Sequence, residues 1–425
     1  MHRAGSHFSI SVKLHLAVTL TLQIFKRCGH HQISFNKIAN FVIMQQQQSG
    51  ETSWKQMMDN VAAVRSGKSM QNQNLHLVTG NQACDLDSAV SALVYARSLI
   101  QQGDPSSAHN TLTIPVLNVY ADELDAHTEV VAWIKFVSPP SHKHIIDLCL
   151  LRDDIERLAE TSANSLSITL VDHNSLEPPF TAIKQAAIQI EQCIDHHALP
   201  SGTTLPVKHR LAEVASCSTL IWEQLIDNRS TIDSWMAQLL YGAILTDSDR
   251  LMDVHKTTSR DQAAVREIER QFKFSERDRS QWHAIILRAK GDIDFLSLPQ
   301  LLSKDFKSIP DTRPRIGMST IPCSLDTLRS KHAQTPDGYS IFTHRHKLDV
   351  LIVRPGDGFV VVFASERENL KLIADFFGSD QMQSFKLELI RCQTHGPAHF
   401  ACFRQHNPVP TRKQYLPLLR TKFAV

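Results

Sequence analysis

SLSITLVDHN (residues 165–174) and AAIQIEQCIDHH (residues 186–197) decide the fold. Each is an apolar run of about strand length that stops abruptly in polar residues led by an aspartate. The first reads as a strand ending in polar residues, and the second as another such run. The neighbouring sequence repeats the theme. LHLVTG (75–80) and TIPVLNVY (113–120) read as strands, and AVSALVYARSLI (89–100) and AHTEVVAWIKFV (126–137) as helices. CSTLIWEQLI (217–226) and SWMAQLLYGAIL (234–245) also read as helices, the second running into TDSDR (246–250). Strands alternating with helices predict an α/β fold with a doubly wound, mainly parallel sheet. In such a sheet the working residues gather at the carboxyl ends of the strands, where Asp85, Asp172 and Asp195 stand.

The pattern changes near residue 255. TTSRDQAAVREIERQF (257–272) predicts a helix with Ser259 as N-cap. Beyond it, strands are expected within 312–322, 349–365 and 384–390, and helices within 297–306 and 368–378. Gly356 and Gly358 bracket Asp357 in a predicted hairpin turn. The expected organisation is an N-terminal extension (1–53), a metal-binding domain (54–258), a helical linker (259–279) and a smaller C-terminal α/β domain (280–425).

A length of 425 residues accommodates two such cores. The formal net charge of +2 gives no global field for nucleic acid or membrane, so any anion site must be a local cluster. None of the eight cysteines forms a CxxC pair, which favours a reducing compartment over a disulfide framework. No apolar run approaches the roughly 18 residues of a membrane span. The first 50 residues lack Asp and Glu but carry Arg3, Lys13, Lys26, Arg27 and Lys37. They read as a mitochondrial transit peptide, as sequence preceding a start at Met44, or as a secretory signal. The expected location is cytoplasmic, or the mitochondrial matrix if the transit reading holds.

Four acidic clusters carry the chemistry. Asp85 and Asp87 open a helix, and alone they would read as N-caps. Asp172-His173-Asn174 alone would read as a turn. Asp195-His196-His197 is less common, and its mixture of carboxylate and imidazole suits Mn²⁺, Co²⁺, Zn²⁺ or Mg²⁺. Asp247 and Asp249 end an apolar helix, where a solvated terminus is the bland alternative. Their order, each beside an apolar element, argues against coincidence.

The ordered set resembles the DHH phosphoesterase family, in its exopolyphosphatase and prune branch. GNQACDLDS (80–88), LVDHN (170–174), CIDHH (193–197) and ILTDSD (244–249) match its four motifs, and the likeness runs over about residues 54–422. The resemblance implies that Asp85, Asp87, Asp172, His196 and Asp247 hold two divalent cations, Mn²⁺ or Mg²⁺ with Co²⁺ tolerated. It implies that Asp195 orients a histidine and that His197 contacts a phosphate. Residues 280–425 resemble the DHHA2 domain, with Lys304, Arg412 and Lys413 as phosphate ligands. Asn81 stands where pyrophosphate-hydrolysing relatives carry a metal-binding histidine, and an amide is the poorer ligand for transition metals. His127 stands near a position where relatives often carry an arginine, and Asp249 has no assigned role.

The implied activity is exopolyphosphatase: water activated by the two cations releases terminal phosphate from inorganic polyphosphate or another phosphoanhydride. The alternatives are an inorganic pyrophosphatase, a hydrolase of short polyphosphates or nucleoside polyphosphates, and a non-catalytic regulatory prune-like protein. Neither a nucleic-acid nor a membrane partner is expected, and the sequence leaves the oligomeric state open.

Overall fold

The computed structural model describes residues 52–67, 74–103, 111–138, 144–161, 166–183, 188–199, 208–395 and 398–425. The N-terminal segment read above as a leader lies outside the described residues through position 51. No helix among the described residues is long and apolar enough to cross a membrane.

After helix α1 (52–65), the first unit alternates β1 (Asn74–Thr79), α2 (Leu86–Gln102), β2 (Thr111–Leu117), α3 (Thr128–Val137), β3 (Leu150–Leu151), α4 (Arg152–Thr161), β4 (Leu166–Val171), β5 (Ile188–Asp195) and β6 (Lys208–Leu211). Two helices follow, α5 (Cys217–Asp227) and α6 (Ser234–Asp247). The strands form one sheet in the order β3-β2-β1-β4-β5-β6, with every pairing parallel. This is the doubly wound sheet expected from the apolar runs. The chain reverses its direction of travel across the sheet between β1 and β4, which opens a crevice at their carboxyl ends. Both outer strands are short, which limits the unpaired edge each exposes.

Helix α2 is buried at every position from Leu86 to Ser98, because sheet and helices enclose it on all sides. On α6, Gly242 faces Trp133 of α3. A Cβ there would lie 2.4 Å from the indole, so the two helices meet only because the side chain is missing.

Helices α7 (Ser259–Phe272) and α8 (Glu276–Gly291) follow. The N-cap of α7 is Thr258, one residue before the expected Ser259, because Asp261 at the third helical position closes a capping box with Thr258. Ala264, Val265, Ile268 and Ile286 sit in the first unit's core, so α7 and α8 pack as part of that unit.

The second unit contains α9 (Leu298–Ser303), β7 (Phe306–Ile309), β8 (Ile316–Ile321), α10 (Leu325–Gln334), α11 (Gly338–Arg345), β9 (Val350–Pro355), β10 (Phe359–Ala364), α12 (Arg367–Phe377), β11 (Leu387–His395), β12 (Ala398–Gln405) and α13 (Arg412–Phe423). Its mixed sheet runs β11-β12-β10-β9-β8-β7. Helices α12 and α13 contribute to the core on one side, and α9, α10 and α11 to the core on the other. Gly358 makes the turn between β9 and β10 at φ +83°.

The two units meet along the segment that carries α9 and β7. Gln300 Nε2 donates to Asp122 O at 3.1 Å. Lys304 Nζ donates to Ala126 O (2.9 Å), Thr128 Oγ1 (3.1 Å) and Glu129 Oε2 (2.9 Å). His346 Nε2 lies 2.9 Å from Glu123 Oε1. The Lys304 and Glu129 side chains are 5% and 6% exposed, so neither charge has water to fall back on. Burial would raise the Glu129 pKa, but Lys304, Lys290 and His127 outweigh it and hold the carboxyl below its ordinary range. Lys304→Met should therefore cost about 3–5 kcal/mol in urea unfolding at pH 7, and adding Glu129→Leu should recover most of it. The wild-type contribution should be full above the unfolded carboxylate pKa of about 4.3 and be lost as the pH falls through the lower folded value.

Candidate metal centre

The β1–α2 loop brings in the first pair of carboxylates. Gly80 lets it close, since a Cβ there would lie 2.5 Å from Ser88 Oγ. Ser88 Oγ accepts from Asn81 N at 2.7 Å. Asp85 is the N-cap of α2, with its Oδ1 accepting from Ser88 N at 3.0 Å. Asp87 instead caps a different helix. Its carboxylate accepts from Ser216 Oγ (2.7 Å), Cys217 N (2.6 Å), Ser218 N (2.8 Å) and Ser218 Oγ (2.6 Å) at the start of α5.

Asp172 follows β4 in the left-handed region, at φ +62°. Asn81 Nδ2 donates to Asp172 Oδ2 (2.8 Å) and to Asp172 O (3.0 Å). The other carboxylate oxygen, Oδ1, is buried and receives no aligned hydrogen bond, although His196 Nε2 is only 3.1 Å away. His196 Nδ1 lies 2.8 Å from Val214 O, and a carbonyl can only accept. The ring hydrogen therefore belongs on Nδ1, and a neutral His196 turns the lone pair of Nε2 toward an anionic oxygen. Two acceptors at that distance repel unless a positive charge lies between them. Asp172, His196 and His197 bring ligand atoms within 4.8 Å of one another.

Asp195, fully buried as the last residue of β5, organises the two histidines. It accepts from His196 N (2.8 Å), His197 N (3.2 Å), His197 Nδ1 (2.8 Å) and Asn174 Nδ2 (2.7 Å). Burial would raise its pKa, but the His197 contacts prevail and lower it. The carboxylate stays ionised and fixes His197 with Nδ1 as donor and Nε2 turned away from it.

Asp247 is the last residue of α6, where the helix dipole disfavours an anion. Its pKa is driven far up by burial and by the charges of Asp87, Asp85 and Asp172. Asp172 is pushed up to about 7 by burial and by Asp87, with Asp85 adding to it. At His196, burial works downward, yet Asp172 and Asp87 override it and raise the pKa. Carboxylates that oppose one another's ionisation, a buried oxygen without an aligned hydrogen bond and an imidazole whose Nε2 faces it form a donor set suited to divalent cations.

The remaining sequence candidates are placed differently. His127 is buried, with Nε2 unpartnered, and burial lowers its pKa. Lys304 is occupied by the ion pair with Glu129. Arg412 donates to the carbonyl of Asp305 and pairs with its carboxylate at 2.6 Å. Lys413 is exposed, as is Asp249, which lies 3.6 Å from His283 Nε2. Sequence reading missed Lys290, near the end of α8. Burial would lower its pKa, but Glu129, Asp85, Asp247 and Asp305 raise it. Nothing in its local pattern distinguishes it from an ordinary basic helix end. Lys307 stands on β7, and its charge acts on Asp305. A cleft of ≈1170 Å³ opens between the units, bordered by Arg152, Pro178, Ser308, Arg315 and Arg420, and none of the carboxylates Asp85, Asp87, Asp172 or Asp247 lines it.

Comparison with known proteins identifies the two domains. Residues 76–244 match the DHH family N-terminal domain and residues 284–422 the DHHA2 domain. The chain carries a DHH family N-terminal domain followed by a DHHA2 domain. This DHH protein is 27% identical over 358 residues to the mouse (Mus musculus) protein named exopolyphosphatase PRUNE1, covering 81% of this chain and 75% of that one. It is 25% identical to a putative exopolyphosphatase of Schizosaccharomyces pombe, covering 88% of this chain and 96% of that one. A probable manganese-dependent inorganic pyrophosphatase of Lactobacillus delbrueckii is 27% identical, over 54% of this chain and 74% of that one. Among solved structures, a putative family II inorganic pyrophosphatase of Methanococcus jannaschii superposes with a TM-score of 0.52 at 18% identity, covering 82% of this chain and 99% of that one. That likeness concerns the fold.

In chelator-treated protein, a carboxyl with a raised pKa costs stability as it ionises. Thermal stability should therefore fall as the pH rises from about 4 toward the Asp172 value of about 7. Asp172→Asn should flatten that slope and also abolish the rise in Tm that Mn²⁺ gives the wild type. A full Mn²⁺-induced rise in the variant would remove Asp172 from the centre.

Proposed function

We propose that this protein is an exopolyphosphatase that hydrolyses the terminal phosphoanhydride bond of inorganic polyphosphate. The observation that carries the reading is the buried Asp172 Oδ1 facing His196 Nε2 at 3.1 Å without an aligned hydrogen bond. Asp85, Asp87, Asp172, His196 and Asp247 would hold two divalent cations, Mn²⁺ or Mg²⁺ with Co²⁺ tolerated. Bound there, the cations would supply Lewis acidity toward phosphoryl oxygens and lower the pKa of water toward neutrality.

The chain's own residues do the rest. Asn81 occupies Asp172 Oδ2 and leaves Oδ1 for coordination. Its amide donates to the carboxylate, and this donor role supports polyphosphate over pyrophosphate. The relatives named as exopolyphosphatases also match over more of the chain than the pyrophosphatase does. Asp195 holds His197 so that Nε2, when protonated, can donate to a phosphate oxygen. Lys290, Lys307, Arg412 and Lys413 provide positive charge for the substrate's non-bridging oxygens as they gain charge in the transition state. Arg412 would leave or share its contact with Asp305 to reach substrate. Lys304, in this reading, fixes the two units together and reaches phosphate only if the pair with Glu129 opens.

The test is phosphate release with Mg²⁺ or Mn²⁺ from pyrophosphate, tripolyphosphate, long polyphosphate, ATP and cyclic AMP. Long polyphosphate or tripolyphosphate should be the best substrate, and preference for pyrophosphate would overturn the assignment. His196→Ala should lower turnover by more than about 100-fold, whereas Asp195→Asn should cost roughly 10–100-fold, as loss of a partner behind a ligand does. Equal, small losses in both would show that neither histidine nor carboxylate serves the reaction.

A further inference from the structure

Most contacts between the units described above land on residues 120–129, away from the motif-bearing loops. Gln82 is different. It lies in the β1–α2 loop between Asn81, which holds Asp172, and Asp85. Its side chain is buried, with the residue 5% exposed. Gln82 Oε1 accepts from Ser308 N at 3.0 Å and from Ser308 Oγ at 2.9 Å. The Gln82 backbone N donates to Glu177 Oε2 at 2.7 Å, and Glu177 lies in the loop that follows Asp172. One residue therefore joins the loop of Asp85 and Asp87, the loop after Asp172, and β7 of the second unit. Ser308 directly follows Lys307, and β7 begins next to Asp305, the partner of Arg412.

We propose that Gln82 is a positioning residue that docks β7 onto the carboxylate-bearing loop, and so sets where Lys307 and the Asp305–Arg412 pair stand relative to the metal ligands. The kinetic part of this inference rests on the hydrolase reading given above. The chemistry suits the task. Oε1 presents two lone pairs and both are used, by a backbone N–H and a hydroxyl. A neutral acceptor joins the units without adding another anion beside Asp85, Asp87 and Asp172, whose charges already oppose one another. The link is weaker than the buried Lys304–Glu129 pair, because neutral hydrogen bonds contribute less than charged ones. Of the two, it is therefore the connection that gives way first when the units separate.

The experiment compares the full chain with Gln82→Met, which keeps length but loses the acceptor, Gln82→Glu, which keeps the acceptor, and Ser308→Ala, which loses the hydroxyl donor alone. Amide hydrogen exchange of residues 306–309, Mn²⁺ affinity by calorimetry, and KM and kcat with magnesium tripolyphosphate are measured on each. Gln82→Met should speed exchange in β7 and raise KM about tenfold, while Mn²⁺ affinity and kcat stay within about threefold. Gln82→Glu should return exchange in β7 to within about threefold of wild type, while its added anion keeps KM raised, and Ser308→Ala should fall between Gln82→Met and wild type in exchange. Wild-type exchange in β7 of Gln82→Met overturns the proposal, whatever the kinetics. A loss of Mn²⁺ affinity as large as the rise in KM overturns it too, since Gln82 would then act through the ligands. If Gln82→Met does not fold, unchanged exchange in Ser308→Ala has the same force. If the wild type releases no phosphate from tripolyphosphate, the hydrolase reading fails while the exchange comparison still decides the docking role.

Discussion

The centre of this structure is an electrostatic conflict. Asp172 Oδ1 and His196 Nε2 face each other at 3.1 Å from adjacent strand ends, and the charges of Asp85 and Asp87 act on both Asp172 and Asp247. A protein interior tolerates such a grouping only where protons or cations neutralise it. The surrounding architecture serves to hold it in place. The parallel sheet sets β4 and β5 side by side and brings Asp172 and Asp195 to their carboxyl ends. The dipole of α5 steadies Asp87. The Asn81 amide takes one oxygen of Asp172 and leaves the other unbonded.

Positive charge reaches this negative centre from Lys290, while Lys307 and Arg412 of the second unit act on Asp305. Lys307 and Arg412 come from its first strand and last helix, and Lys290 from the helix that leads into it. Lys290 is remote in sequence from Asp85 and Asp247, and Arg412 from Asp305, whereas Lys307 stands two residues from Asp305. The buried Lys304–Glu129 pair and the neutral Gln82–Ser308 contact are two of the links that join the units, beside those of Gln300 with Asp122 and His346 with Glu123. The first is costly to break because each partner would be left charged in a dry site. The second can be exchanged for water at small cost.

Much of the first unit was legible before any coordinates. The apolar runs ending at Asp172 and Asp195 read directly as strand-length segments, and the helices around α2 and α6 read from their length and apolar content. The second unit was less legible. Its strand β7 has only four residues, too few for a period to show, and β12 alternates with His399 and Arg404 in positions that mask it. The N-cap of α7 was misplaced by one residue, because Thr258 and Ser259 are equally good caps locally and only the bond with Asp261 separates them.

The sequence by itself determined which residues could bind metal. Carboxylates and imidazoles at the ends of apolar elements are a local chemical pattern, and local pattern is what a linear reading detects. Tertiary structure alone decided how each is used. Asp87 caps a helix more than a hundred residues away. Lys304, read as a phosphate ligand, is committed to Glu129, and Lys290, an unremarkable basic residue near a helix end, feels the same carboxylates as the site. These assignments depend on distance and burial between remote segments. Both set the strength of a charge interaction, and neither is encoded in the spacing of residues along the chain.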